Sequence, residues 1–245
     1  MKIAPRLYCA LPLEAGKEIG LPPPAAHHAA RVLRLRSGDC VTLFNGEGGE
    51  FDAEILHVAR GAVSVRVGSH RAVDRESPLQ VTLVQGLAGA DRMDWVMQKA
   101  VELGVTAIRP VTMARSVVRL DPPRAAKRET HWRSIAISAC EQCGRNRLPV
   151  LHALTRFEQW VATPSVAELR VFLAPDAATS LSGLARPEGS IELLVGPEGG
   201  LTQDEAGAAL DAGFRAVRLG PRILRTETAP LAAMSALNAL WGDWS

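Results

Sequence analysis

Two rhythms of apolar and polar positions divide this chain. In its first part the alternation has a period of two. Phe51, Ala53 and Ile55 alternate with Asp52 and Glu54, and Val63, Val65 and Val67 alternate with Ser64 and Arg66. That spacing marks strands with one buried face. The apolar run 41–44 leads into Asn45-Gly46, a hairpin signal, with Gly48-Gly49 lengthening the loop; Arg60-Gly61 supplies a second turn. Several short strands in so small a segment predict a compact β-barrel domain over residues 1–73.

A polar connector, 74–78, opens the second rhythm, in which short apolar runs alternate with helical spacing. The runs 79–85, 107–111, 170–174, 191–195 and 216–219 read as five strands. Between the first two, Met93, Val96, Met97, Ala100 and Leu103 share one helical face, with Asp91 expected as the cap and Gly104 as the stop. A long helix is expected over 123–144. Thr202-Gln203-Asp204-Glu205 reads as a capping box opening a helix that stops at Gly213. The last helix, over 228–241, sets Leu231, Met234, Leu237 and Trp241 on one stripe. Strands and helices in alternation predict an α/β domain over 74–245, with a mainly parallel sheet covered on both faces.

Composition narrows the function classes. The chain has 245 residues, 47% hydrophobic but only 4% aromatic, so its cores must be built from Ala, Val and Leu. A net charge of +2 neither implies nor excludes a nucleic-acid partner. Arg far outnumbers Lys, which suits phosphate and base-edge contacts but also follows from GC-rich coding. Cys140 and Cys143 form a C-x-x-C pair with no second pair to complete four zinc ligands, so they are expected as ordinary thiols and no metal is expected. No signal-peptide pattern and no run of ~20 apolar residues is present, which predicts a cytoplasmic protein without a membrane partner.

The candidate chemistry lies near the C-terminus. The strand at 191–195 runs into Gly196-Pro197-Glu198-Gly199-Gly200, and the strand at 216–219 runs into Gly220-Pro221-Arg222. Neither loop is G-x-x-x-x-G-K-[ST] or G-x-G-x-x-G, so phosphate-cradle readings lose their support. Glycine allows close backbone approach and proline stiffens each loop. Ligands bind at the carboxyl ends of strands in open α/β sheets. The pair therefore reads as a small-molecule site made largely of backbone, with tight structural turns as the plain alternative.

These same residues carry a family resemblance. GPEGGLTQDE at 196–205 and LGPRILRTETAPLAAMSAL at 219–237 resemble the signature loops of the bacterial 16S ribosomal RNA (uracil-N3)-methyltransferases, members of the SPOUT superfamily. RMDWVMQKAVELGVTAIRPV at 92–111, RSVVRL at 115–120, SACEQCGRNRLPVL at 138–151 and HHAARVLRLRSGD at 27–39 are similar to further segments of that family. The resemblance implies a PUA-like N-terminal barrel that holds RNA and a C-terminal trefoil knot that binds S-adenosylmethionine. It also implies a homodimer and 16S rRNA or the small ribosomal subunit as partner. The implied cofactor residues are Leu173, Gly196, Pro197, Glu198, Gly199, Gly200, Leu219, Gly220, Ile223, Leu224, Arg225 and Thr226.

Arg225 is the catalytic candidate, through stabilisation of a uracil oxyanion, with a salt bridge to Glu198 or Glu227 as its structural alternative. The proton acceptor stays unassigned among Glu198, Glu227, Glu141 (expected on an exposed helical face) and solvent. Arg31, Arg34, Arg115, Arg119, Gln142, Arg145, Asn146 and Arg147 are the RNA-contact candidates; Arg36 accompanies the first two as part of a basic face. The family commonly has a lysine in the loop before the first helix of the catalytic domain, where this chain reads 86–91 as GLAGAD. Its absence removes or relocates a contact. A SPOUT enzyme for another RNA or a ribose 2′-hydroxyl, and a ribosome-assembly factor without turnover, are the competing readings.

Overall fold

The computed structural model describes residues 4–244. Two compact units make up the chain. One gathers the residues up to Glu76 together with Ile137–Leu148; the other gathers Ser77–Ala136 and the chain from Pro149 onward.

In the first unit, β1 (Arg6–Tyr8), β2 (Glu18–Gly20), β3 (Cys40–Phe44), β4 (Glu50–Ala59) and β5 (Ala62–Arg71) form one sheet in the order β1-β3-β4-β5-β2. All pairs are antiparallel except β1 with β3. The period-two reading of these strands holds: Val63, Val65 and Val67 turn inward onto Leu7, Val41, Leu43 and Ile55. A short helix, α1 (Pro23–His27), continues into a π-helical turn at His28–Val32. Periodicity gave no sign of this segment, which is too short to display a repeat.

In the second unit, β6 (Val81–Gly86), β7 (Ala107–Thr112), β8 (Val150–Leu151), β9 (Thr155–Arg156), β10 (Leu169–Leu173), β11 (Ile191–Val195) and β12 (Arg215–Val217) form a sheet in which every pairing is parallel. The order is β12-β10-β11-β6-β7-β8, with β9 also on β7. The five expected strands are present. The two added ones, β8 and β9, are two residues each and too short to carry a pattern.

The helices are α2 (Ala90–Glu102), α3 (Pro122–Cys143), α4 (Phe157–Val161), α5 (Gln203–Asp211) and α6 (Ala229–Trp241). The Thr202 capping box of α5 forms in full, its hydroxyl accepting the Glu205 N–H and the Glu205 carboxylate accepting the Thr202 N–H. The Asp91 cap does not form. Gly89 is the N-cap of α2 and Asp91 lies inside the first turn. The reason is tertiary: a carboxylate from a distant loop, Glu198, accepts the Gly89 N–H at 2.9 Å. No helix among the described residues is long and apolar enough to cross a membrane.

Candidate active site in the second unit

Strands β10, β11 and β12 are neighbours, and the loops leaving their carboxyl ends enclose a cavity of about 480 Å3. Leu173 ends β10 at its wall, the loop 196–201 leaves β11, and the segment 219–227 follows β12. All twelve residues expected around a cofactor, from Leu173 to Thr226, line this one cavity. A pocket of this volume is the size that small molecules occupy.

Two connections, the first of them buried, fix the loops against each other. The Thr226 hydroxyl donates to the Gly196 carbonyl at 2.7 Å and accepts from the Gln85 amide at 3.1 Å; Gln85 is wholly buried. Thr226 is thus a strut between the loops. Thr228 stands at the N-cap position of α6 but makes no side-chain cap bond; Pro230 at N2 has no N–H to give, and the Arg225 carbonyl accepts the Thr228 and Ala229 N–H groups. Gly86 lies so close to the 196–201 loop that a Cβ there would come within 2.5 Å of the Pro197 nitrogen. Beyond it, Gly200 takes φ +66°, the left-handed region that favours glycine.

A Thr226→Val substitution keeps the shape but leaves the Gln85 amide and the Gly196 carbonyl short of a partner. It should cost about 1–3 kcal/mol, whereas Thr226→Ser should recover most of that. All five tryptophans belong to the second unit, so denaturation followed by tryptophan fluorescence reads this unit directly. Equal stability of the valine and serine variants would remove the strut from the account.

The second connection is ionic and was not found from the sequence. Arg92, on the first turn of α2, reaches Glu198 at 2.6 Å and Glu227 at 3.4 Å, joining one carboxylate from each loop. Burial alone would push the Glu198 carboxyl up, but the Gly89 N–H, its own N–H and Arg92 together hold it below the ordinary glutamate value. Each of the two glutamates keeps one buried oxygen without a hydrogen bond, Oε2 in both cases. Nothing in the sequence marked Arg92 for this role; it lies more than a hundred residues from either carboxylate, 106 from Glu198.

Arg92 also disposes of the alternative role for Arg225. Both carboxylates that could have paired with Arg225 are taken by Arg92, and Arg225 makes no ion pair among the described residues. Its exposed side chain borders the cavity. Ile223, on the same segment, is 83% exposed at the cavity wall, an apolar side chain standing free for a flat ligand to cover.

The RNA-contact candidates separate into distinct environments. In the second unit, Arg119 is exposed, and Arg115 is exposed while donating to the Gly199 and Leu201 carbonyls at 2.9 and 3.2 Å. Arg115 thus braces the glycine loop at the rim of the cavity. In the first unit, Arg31, Arg34, Gln142 and Arg147 are exposed, Arg34 with φ +55°.

Arg145 and Asn146 correct the sequence reading. They are only 4% and 2% exposed. Arg145 pairs with Glu76 at 2.6 Å, and Asn146 joins Arg6 to the Val73 carbonyl. Their polar atoms hold the 137–148 segment within the first unit, so they do not present an RNA-facing surface. Glu141 is corrected too. Its carboxylate is nearly buried, accepts the Tyr8 N–H at 2.9 Å and lies 3.3 Å from His28, and burial pushes its pKa up. It belongs to the first unit and lines no part of the cavity.

Cys140 is a buried thiol donating to the Arg147 carbonyl, pushed up to about 12 by burial. Among the described residues, no group of three His, Cys, Asp or Glu side chains is arranged to hold a metal ion.

Comparison with known proteins agrees with this geometry. Residues 75–238 match the RNA methyltransferase domain and residues 21–68 match the RNA methyltransferase PUA domain. The ribosomal RNA small subunit methyltransferase E of Buchnera aphidicola (Schizaphis graminum) is 32% identical over 244 residues, covering 100% of this chain and 99% of that protein. The crystal structure of ribosomal RNA small subunit methyltransferase E from Neisseria gonorrhoeae, bound to S-adenosylmethionine, is 42% identical with a TM-score of 0.95, covering 99% and 100%. A Legionella pneumophila protein solved with the same cofactor is 38% identical with a TM-score of 0.96, covering 98% and 99%. With the family model spanning most of its length and such relatives matching it end to end, this chain belongs to the RNA methyltransferase family that includes ribosomal RNA small subunit methyltransferase E.

Proposed function

We propose that this protein is an S-adenosylmethionine-dependent methyltransferase that methylates N3 of a uridine in 16S rRNA of the small ribosomal subunit. The observation that carries the reading is the single cavity at the ends of β10, β11 and β12, lined by both glycine loops and by a free guanidinium. The residues fit the cofactor. Backbone groups of 196–200 and 219–226 would meet adenine edges, and Leu173, Leu219, Ile223 and Leu224, which line the same cavity, would offer apolar faces. When bound, S-adenosylmethionine supplies the methyl group from its sulfonium.

The remaining chemistry falls to this chain. N3 of neutral uracil carries a proton and no usable lone pair, so the site must favour the anion. Arg225 supplies a fixed positive charge toward O2 or O4. Glu227 lines the cavity and has the longer contact to Arg92, 3.4 Å, so it is the carboxylate that would hold the departing proton; Glu198 is held by Arg92 at 2.6 Å and by Gly89. A uridine paired inside a duplex cannot offer N3, so the target enters unpaired or flipped.

We also read the first unit as a PUA-like barrel that grips RNA, with Arg31, Arg34 and Arg147 on its contact face. The C-terminal segment is read as a trefoil knot, and the assembly as a cytoplasmic homodimer. The crossing of β11 to the far side of β10, where β12 lies, supports the knot.

The test is methyl transfer from labelled S-adenosylmethionine to undermethylated small subunits, naked 16S rRNA and tRNA, with nucleoside analysis. N3-methyluridine in small-subunit RNA is the expected product. Label in another nucleoside, in tRNA or nowhere would overturn the reading.

A further inference from the structure

The residues 115–133 hold six of the chain's Lys and Arg residues against two acids, although the whole chain is only +2. The rest of the molecule therefore carries more acidic than basic residues, and this stretch concentrates the positive charge. It belongs entirely to the second unit and comprises the loop after β7 and the first half of α3.

Its cations follow one another from the cavity rim onto one side of a helix. Arg115 is tied to the rim of the cavity through the Gly199 and Leu201 carbonyls, contacts that leave its charge without a carboxylate partner. Arg119 follows in the exposed loop. Along α3, Arg124, Lys127 and Arg128 stand at i, i+3 and i+4, so they share one side of the helix. Arg124 and Lys127 are exposed and Arg128 is half-buried. Arg133 projects on the opposite flank and is not part of the row.

The acids nearby are already engaged. Asp121 accepts the Arg124 N–H at the start of α3 and lies 3.6 Å from its guanidinium. Glu129 accepts the Leu154 N–H, and Asp94 holds His131. Lys127 and Arg128 make no ion pair among the described residues.

We infer that Arg119 and the α3 row of Arg124, Lys127 and Arg128 form a docking track for the sugar-phosphate backbone of the RNA that flanks the methylated nucleotide. A row of like charges with a half-free guanidinium and two free cations is complementary to a chain of phosphates, and arginine forks fit phosphate oxygens. A bilayer is a poorer match, because the side of α3 that carries the row continues through His131 and Ser134, and its large apolar residue, Ile135, is half-buried rather than standing free to enter lipid. Along the chain the track begins four residues after Arg115, the residue tied to the cavity rim, so a strand held along it is tethered close in sequence to the site. The identity of the RNA rests on the proposed function; the phosphate chemistry does not.

The test compares the full-length protein with an Arg124→Ala/Lys127→Ala/Arg128→Ala triple variant. A charge-matched control changes three exposed arginines of the same unit that lie off the track and off the cavity, Arg156, Arg186 and Arg215, to Ala. Binding to naked 16S rRNA is measured across salt concentrations, and KM and kcat are measured on undermethylated small subunits. The track variant should bind roughly tenfold more weakly, and its slope of log affinity against log salt should be shallower by about two to three. KM should rise with kcat kept, and the control triple should retain the wild-type slope.

A wild-type slope in the track variant, or an equal loss in the control, overturns the proposal. Weakened binding to subunits with unchanged binding to naked RNA also overturns it, in favour of an acidic protein partner. If the wild-type protein transfers no methyl group, the proposed function fails, yet the slope on naked RNA still decides the track.

Discussion

Arg225→Ala should lower kcat by about 10²–10³ while changing S-adenosylmethionine affinity by no more than a few-fold. The expected size is that of removing one donor aimed at a developing oxyanion. The structure makes the substitution a clean one. The Arg225 carbonyl anchors the start of α6 through the Thr228 and Ala229 N–H groups, and this backbone role survives truncation of the side chain. The guanidinium holds neither glycine loop in place, because Arg92 takes both carboxylates. Arg225→Lys keeps the charge but loses the planar fork, so it should recover only part of the rate. Equilibrium binding of the cofactor and single-turnover methyl transfer separate the two effects. If cofactor affinity collapses along with the rate, Arg225 is a cofactor ligand and the oxyanion role is wrong.

Glu50→Ala should destabilise the first unit by about 3 kcal/mol or more. Glu50 is 2% exposed and receives Arg6, Arg71 and Arg75. Arg71 and Arg75 are part-exposed and can turn to water, but the Arg6 side chain is only 12% exposed. Removing one partner of a buried pair strands the other, typically at about 3–5 kcal/mol. The lower end applies here because Arg6 keeps Asn146 and the Arg145 carbonyl.

The same carboxylate sets an acid limit on stability. Burial would push it up, but hydrogen bonds and charge from Arg6 and Arg75 hold its pKa below the ordinary glutamate value of 4.5. A depressed folded pKa gives stability that is present above the unfolded value and is lost as pH falls through the folded value. The wild-type first unit should therefore weaken only below about pH 4.5, and the alanine variant should lack that part of the pH dependence. Hydrogen exchange over peptides from 40–76 reads this unit, while tryptophan fluorescence reads the other. Wild-type protection in the variant would show that the arginines find equal partners without Glu50.

Much of the architecture was legible because it is local. The alternation of Val63, Val65 and Val67 needs only a strand and one buried face, and the Thr202–Glu205 capping box needs only neighbours three residues apart. The five main strands of the parallel sheet and the two glycine loops were legible for the same reason. What failed was also physically specific. Asp91 had the chemistry of a cap, but Glu198, more than a hundred residues away in sequence, had already supplied the acceptor at the start of α2. Arg145 and Asn146 looked like loop residues available to RNA; a polar residue in a loop and a polar residue crossing a buried seam have the same letters.

The sequence by itself therefore determined the longer elements, the two glycine-bearing strand ends and the residues gathered at the cavity, since each depends on side-chain period, turn chemistry or a contiguous motif. Tertiary structure alone decided that β11 lies between β10 and β6, that residues 137–148 pack with the first unit, and that Arg92 joins the two loops. Those outcomes depend on which distant segments the backbone path brings within a few ångströms. No period of two or of 3.6 encodes that, because such a pattern reports only which side of an element is buried and never which partner waits there.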